Sequence, residues 1–411
     1  MFDVIKKGFF TSLILLVIVV VICCFSGCLD NSGTETGLSD NSLNPVIVSD
    51  LPEDIVETEP ETAENHSILL TTSENLYGQD LPPYPSIIPD SGYSGTVDRS
   101  FTFLFQKSNY TITVPVDKSV YYGARSSVKR LPEGSEWDYK EWLTGYYQAF
   151  FSDPNLDSFY EDLLLPLQRI QRQEVLSESE YLELLITFVQ QVPYDSQAIS
   201  PRFAIETIYD QKGDCDEKSL LLAGLLEREG YDVALFFFPD YQHAVAGIRV
   251  RLEADPGFHV FESDDKRDYV FIETTVPQYI GRYPEVYEGA RVYVVPVGNG
   301  TTWYTHMNYI SHITDTAEEL EDRLLFIQNQ LDEWRTEILT LEEKLNTYPY
   351  TDREEFDSDY ARYNQRIQMY NDLREKGDKI YPVYQYILDH PYDVLDVYRY
   401  IENTKVSEIR I

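Results

Sequence analysis

Four β-rich runs, "YDVALFFFP" (231–239), "HAVAGIRVRL" (243–252), "YVFIETT" (269–275) and "ARVYVVPV" (290–297), follow one another with only turns or polar segments between them. Parallel pairing needs a long crossover, usually a helix. None is legible between these runs, so the centre of the chain is expected to be an antiparallel sheet with its strands in sequential order. Immediately before it, "KGDCDEKSLLLAGLL" (212–226) reads as an almost wholly apolar helix that Gly230 stops.

The C-terminal part returns to helix. Leu320, Leu324, Ile327, Leu331, Trp334, Ile338, Leu341 and Leu345 recur at alternating spacings of four and three, a heptad seam. After "NTYPYTD" a second series follows at Phe356, Tyr360, Tyr363, Ile367, Tyr370 and Leu373. Two seams joined by a short loop predict an antiparallel helical hairpin over 315–376. Thr316 with Glu319 and Thr351 with Glu354 fit capping boxes at its two helix starts. Residues 377–411 read as a further helical segment. Upstream, "RSFTFLFQKSNYTITVPVD" (99–117) alternates apolar and polar residues around "KSN", a β-hairpin. "DYKEWLTGYYQAFF", "DSFYEDLLLPLQRIQ" and "ESEYLELLITFVQQV" read as helices. The class is α+β, with hairpin and helices over 96–175 and a core over 176–300.

The N-terminus is different in kind. Lys6 and Lys7 precede an uncharged apolar run of 17 residues from Phe9 to Phe25, followed by "SGC". Residues 1–28 read either as a retained membrane anchor or as a cleaved signal whose "FSGC" resembles a lipobox, leaving Cys28 lipidated. Both readings place the chain at the cell membrane through its N-terminus, with the body extracellular. From Leu29 to Asp98 there is no Lys or Arg, and acidic, hydroxyl and Pro residues dominate. Residues 29–95 are therefore expected to be a disordered acidic stalk.

A net charge of −37 argues against nucleic acid as a partner, because a phosphate backbone calls for Lys and Arg. Of four cysteines, Cys23, Cys24 and Cys28 crowd the apolar run, and only Cys215 lies in the body. No intramolecular disulfide is possible there. The thiol is either a small buried hydrophobe or is kept for its reactivity. CxxC, HExxH, phosphate-cradling glycine loops and GxSxG are all missing from the sequence, so neither metal nor cofactor is expected.

A cysteine nucleophile needs a base and a group that orients the base. Asp214 and Glu217 form a D-x-x-E capping box that places Cys215 at the first helical position. The helix dipole there favours negative sulfur, whereas Asp216 and Glu217 oppose it. His243 opens the second β-rich run, and Glu273 lies within the third, "YVFIETT". A carboxylate in so apolar a run needs a partner. His243 on a neighbouring strand fits, with an ion pair to Arg249 or Arg251 as the plainer alternative.

"GDCDEKSLLLAGLLEREGYDV", "HAVAGI" and "FIETT" together resemble the transglutaminase-like superfamily, relatives of papain-like cysteine peptidases, over about residues 175–295. They look most like exported, archaeal-type members. The resemblance implies a papain/transglutaminase-like core, with the cysteine's helix packed on an antiparallel sheet. It also implies Cys215 as nucleophile, His243 as base and Glu273 as the residue that orients the histidine. Gln190 is the candidate for oxyanion support, a role glutamine often takes in papain relatives. Val245 stands where many members have an aromatic residue, and Glu273 where most have Asp. Two function classes follow. One is a cell-surface cysteine enzyme hydrolysing amide bonds or transferring an acyl group, with cell-envelope proteins or peptides as substrates. The other is a catalytically silent module of the same fold that binds protein.

Overall fold

The computed structural model describes residues 83–130, 140–195, 201–250 and 258–411. The expected anchor, Cys28 and most of the expected stalk lie outside the described residues, as does Arg251. Residues 83–95, read as the end of the stalk, belong to the body instead. Ile87 is buried and its backbone N–H donates to Asp153 Oδ2 at 2.8 Å.

The body opens with a hairpin of β1 (Thr96–Phe105) and β2 (Ser108–Asp117), in register from Thr96↔Asp117 to Phe105↔Ser108. The turn is Gln106–Lys107, both at positive φ (45° and 65°), one residue earlier than "KSN" suggests. Two left-handed residues match the strands' twist. One face of the hairpin buries Phe101, Phe103, Phe105, Ile112, Val114 and Val116. The other carries hydroxyl pairs, Ser100–Thr113 and Thr102–Thr111, each at 2.9 Å.

Five helices follow: α1 (Lys118–Ser126), α2 (Lys140–Ser152), α3 (Asp157–Glu174), α4 (Glu178–Gln190) and α5 (Ala204–Asp210). α4 is buried on every side, with Phe188 edge-on to Phe101 and Phe103. Next comes α6 (Cys215–Arg228), whose residues from Glu217 to Leu226 are all buried. The sheet strands are β3 (Val233–Phe238), β4 (His243–Arg249), β5 (Phe261–Glu262), β6 (Asp268–Ile272) and β7 (Tyr293–Pro296).

All sheet pairings are antiparallel, in the order β5-β6-β4-β3-β7. The antiparallel reading holds, but the sequential order does not. β7 returns to the far side of β3, so β3 is flanked on both sides, and all six of its residues are buried. The two-residue β5 is too short to show a period. One face of the sheet carries Phe236, Phe238, Phe261 and Phe271, closed over by Tyr283, Tyr287 and Val292. Ser219 of α6 hydrogen-bonds Ala244 O of β4 at 3.2 Å, joining helix to sheet.

The chain ends in α7 (Met307–Thr347), α8 (Arg353–Asp389) and α9 (Val394–Thr404). α7 and α8 form the expected hairpin, with Leu320, Leu324, Ile327, Leu331 and Leu341 buried. Four details differ. α7 begins at Met307, so Thr316 is interior and its Oγ1 donates to His312 O at 2.7 Å instead of capping. The second cap is Asp352, not Thr351. The boundary at 376/377 falls inside α8, which continues into the body, where Tyr279 Oη donates to Ile387 O at 2.9 Å. Tyr360, read as a seam residue, is 52% exposed. No helix among the described residues is long and apolar enough to cross a membrane.

Gly224 allows α6 its close approach to α3. A Cβ there meets the Tyr160 hydroxyl at 2.0 Å and Phe151 Cβ at 2.8 Å. Ala in a helix is ordinarily worth up to about 1 kcal/mol over Gly, but overpacking a core costs about 1–3 kcal/mol. Gly224→Ala is therefore expected to lower stability, read as a lower urea midpoint. An unchanged or raised midpoint would show that Tyr160 yields.

Candidate functional site

The sequence places a capping box under the cysteine, and it forms. Asp214 Oδ1 accepts the Glu217 N–H at 3.2 Å, and Glu217 Oε2 accepts the Asp214 N–H at 2.8 Å. Glu217 has no exposed surface and is held by Arg202, Nε to Oε1 at 2.7 Å and Nη2 to Oε2 at 2.6 Å. Burial raises the Glu217 carboxyl, with the guanidinium opposing. Cys215 opens α6 and is buried.

Its thiol departs from the low pKa expected of a helix N-terminus. Burial pushes the Cys215 thiol well above its ordinary value, and Asp216 and Asp214 push it further. Sγ donates to Asp216 Oδ1 at 3.5 Å. The backbone N–H of Ala244, one residue past His243, acts in the opposite sense. Asp214 is itself raised to about 6, by burial and by Asp216. Burial, with the two carboxylates behind it, outweighs the Ala244 N–H.

His243 enters β4 directly after the turn at Pro239–Gln242, where Gln242 is left-handed at φ 48°. β4 pairs with β6 in the register Ala246↔Ile272, which carries the residue after β6 toward the start of β4. That residue is Glu273, and its Oε2 lies 3.3 Å from His243 Nε2. Both side chains are largely buried. The ring of His243 stacks on Tyr287 at 5.7 Å between centroids. Arg249 pairs with Asp232 at 3.0 Å, not with Glu273.

The other oxygen of Glu273, Oε1, accepts from Thr274 N at 2.9 Å, Thr275 N at 2.8 Å and Thr275 Oγ1 at 2.6 Å. Burial raises this carboxyl, but His243 and the Thr275 donors overcome it and hold it at about 2. Gln190 is buried close by, though not in the role expected of it. Its Nε2 donates to Glu273 O at 2.9 Å and Gln278 O at 3.0 Å, which uses both amide hydrogens. It braces the Glu273 segment and has no donor left for an oxyanion.

Two contributors escape sequence reasoning. Lys218, fully buried one turn into α6, donates to Gln190 O at 3.1 Å, Val192 O at 2.8 Å and Thr275 O at 3.3 Å. Burial lowers it to about 8, with Glu273 opposing. Ser219 Oγ lies 3.0 Å from Thr274 Oγ1. Lys218 stands in the charged start "DCDEKS" of the helix, where no local signal marks it as buried. His306 is buried against Glu183, with Nδ1 2.8 Å from Oε1, and Tyr304 Oη donates to the same oxygen. This second His–Glu pair roots α7 in α4.

Ligand atoms of Asp214, Cys215 and Asp216 lie within 4.8 Å of one another. They come from consecutive residues, and Asp214 Oδ1 and Asp216 Oδ1 already accept from Glu217 N and Cys215 Sγ. Compared with family models, curated proteins and solved structures, the chain matches none.

Glu273 loses its proton far more readily in the folded chain, about 2 against an ordinary 4.5. The stability it contributes is complete above about pH 4.5 and is lost as pH falls toward 2. That gap corresponds to on the order of 3 kcal/mol. Glu273→Gln should therefore unfold more easily than the native protein near neutral pH, and the two should converge in acid. Urea unfolding across pH checks this, and a gap independent of pH would assign the loss to packing.

Proposed function

We propose that the chain is a transglutaminase-like cysteine enzyme acting on amide bonds, with Cys215 as nucleophile, His243 as base and Glu273 as the residue that orients the base. The observation that carries this reading is the His243–Glu273 contact at 3.3 Å on the strand end whose Ala244 N–H favours negative Cys215 sulfur. The resemblance of "GDC", "HA" and "ETT" to that superfamily, and to its papain-like core, supports the same assignment.

Nε2 of His243 faces Glu273, which leaves Nδ1 as the proton acceptor. In the proposed reaction the Sγ proton passes to Nδ1 and the thiolate adds to the amide carbon. The C–N bond then breaks, and the leaving amine takes the proton from His243. Water or a second amine accepts the acyl group. The backbone N–H of Cys215 at the start of α6 is the oxyanion donor in this reading, since Gln190 is engaged elsewhere and the Glu217 N–H is taken by Asp214.

A second reading has its own observation. A buried thiol beside two carboxylates is held protonated, as in a silent module displaying a binding face. Iodoacetamide labelling of Cys215, followed by mass spectrometry across pH, separates the two. The enzyme reading expects labelling of the native protein near neutral pH. His243→Ala should slow it by at least about tenfold, and Glu273→Gln should move its onset to higher pH, with Glu273→Asp retaining part of the effect. Inertness until denaturation would favour the module. An unchanged profile in folded Glu273→Gln would remove Glu273 from the site.

A further inference from the structure

In a chain of net charge −37, a cleft of about 510 Å³ is lined by four basic side chains, Arg99, Arg125, Arg202 and Lys212, along with Tyr209 and Asp210. Two of the four are neutralised locally. Arg202 pairs with Asp195, Asp210 and Glu217, and Lys212 with Asp195.

Arg99 and Arg125 are held differently. Arg99 Nε donates to Tyr209 O at 2.6 Å, and its guanidinium lies 4.3 Å over the Tyr209 ring. Arg125 Nη1 donates to Tyr121 Oη at 2.7 Å. Tyr121 in turn stacks on Tyr209 at 3.5 Å and donates to Asp210 Oδ1 at 2.8 Å. Neither guanidinium has a carboxylate within ion-pair distance among the described residues. A carbonyl, a ring and a hydroxyl fix their positions without a direct ion pair, and Asp210 and Glu206 act on Arg125 only from farther off. The remaining N–H groups form planar forks, the geometry that takes a carboxylate in two parallel bonds. Because the forks are already immobilised, little rotamer freedom is lost on binding.

The cleft shares its backbone with the cysteine loop. Its wall at Asp210–Lys212 runs directly into Gly213, Asp214 and Cys215. Asp195 N donates to Gly213 O at 3.0 Å, and Gly213 N donates to Pro193 O at 3.0 Å.

We infer that this cleft binds a carboxylate of the polypeptide whose amide is presented to Cys215, from either a chain terminus or an acidic side chain. The substrate class is thus an anionic peptide, an inference that rests on the cysteine-enzyme reading. The test uses the full chain carrying Cys215→Ala, so that binding does not depend on chemistry. The probes are three N-acetylated alanine pentapeptides: one with a free C-terminus, one with a C-terminal amide, and one amide with a central Glu. Titration calorimetry should show one carboxylate probe binding about tenfold tighter than the plain amide, as charge-assisted bonds allow. The advantage should shrink with salt, and which probe wins identifies the source of the carboxylate. Arg99→Gln and Arg125→Gln should each abolish most of the advantage; should either fail to fold, Arg99→Lys and Arg125→Lys, which keep the charge but lose the fork, should each lower it in part. In the native protein the tighter probe should also slow iodoacetamide labelling of Cys215. Equal binding of the three probes, an advantage that survives both arginine changes, or binding without protection would overturn the inference. If Cys215 proves inert while the carboxylate advantage persists, the cysteine reading fails and the anion cleft stands. Normal labelling with no carboxylate advantage removes the cleft alone.

Discussion

The buried ammonium of Lys218 holds the parts of the candidate site in one place. It has three protons and meets three carbonyls: Gln190 O and Val192 O at the end of α4, and Thr275 O just beyond β6. The last carbonyls of a helix have no partner within the helix, and they carry the negative end of its dipole. Lys218 supplies both a donor and a positive charge there. The same group ties down the segment that holds Glu273, whose charge favours the ammonium form. Gln190 fastens this segment from α4, and Ser219 fastens it from α6. Glu273 meets His243 because three side chains from two helices converge on residues 273–275.

The charges around the two halves of the site work in opposite directions. At Glu273 every neighbour donates, and a buried carboxylate stays ionised. At Cys215 the neighbours on its own helix turn, Asp214 and Asp216, are acids, and the thiol keeps its proton. Asp214 cannot be spared, since it caps α6, and Glu217 closes the cap from the other side. Arg202 compensates Glu217 and reaches Asp195 and Asp210 as well, so the positive charge beneath the helix start is shared among three carboxylates. On the proposed reading, a substrate that displaces water and approaches the Ala244 N–H changes this balance, because desolvation strengthens every remaining interaction.

Much of this was legible in the residues. Short-range rules sufficed for the capping box at Asp214 and Glu217, since cap geometry involves only four consecutive positions. The antiparallel character of the sheet followed from connection length, and the α7–α8 hairpin from its seam. That Glu273 needs a partner followed from the cost of an unpaired carboxylate in "YVFIETT", whereas the register of β4 on β6 decided for His243 over Arg249. Where local signals competed, the reading slipped. Thr316 and Thr351 both resemble caps, but α7 extends back to Met307 because Ile310 and Ile313 are buried in the body. A hydroxyl inside a longer helix bonds to the preceding turn instead.

By itself the sequence determined what depends on near neighbours and on period: the class, the helix that begins at Cys215, the strands other than β5 and the long hairpin. Only the tertiary structure decided what depends on residues far apart in the chain. β7 pairs on the far side of β3, which places Val294 in the same cluster as Phe236. Gln190 spends its amide on two carbonyls more than 80 positions away. Lys218 is buried among carbonyls of two other segments, and Arg99 lies over the ring of Tyr209, 110 positions away. The physical reason is common to all of these. A hydrogen bond or ion pair is worth making only where water is excluded and the partner is already in position, and no local pattern specifies which distant carbonyl will be there.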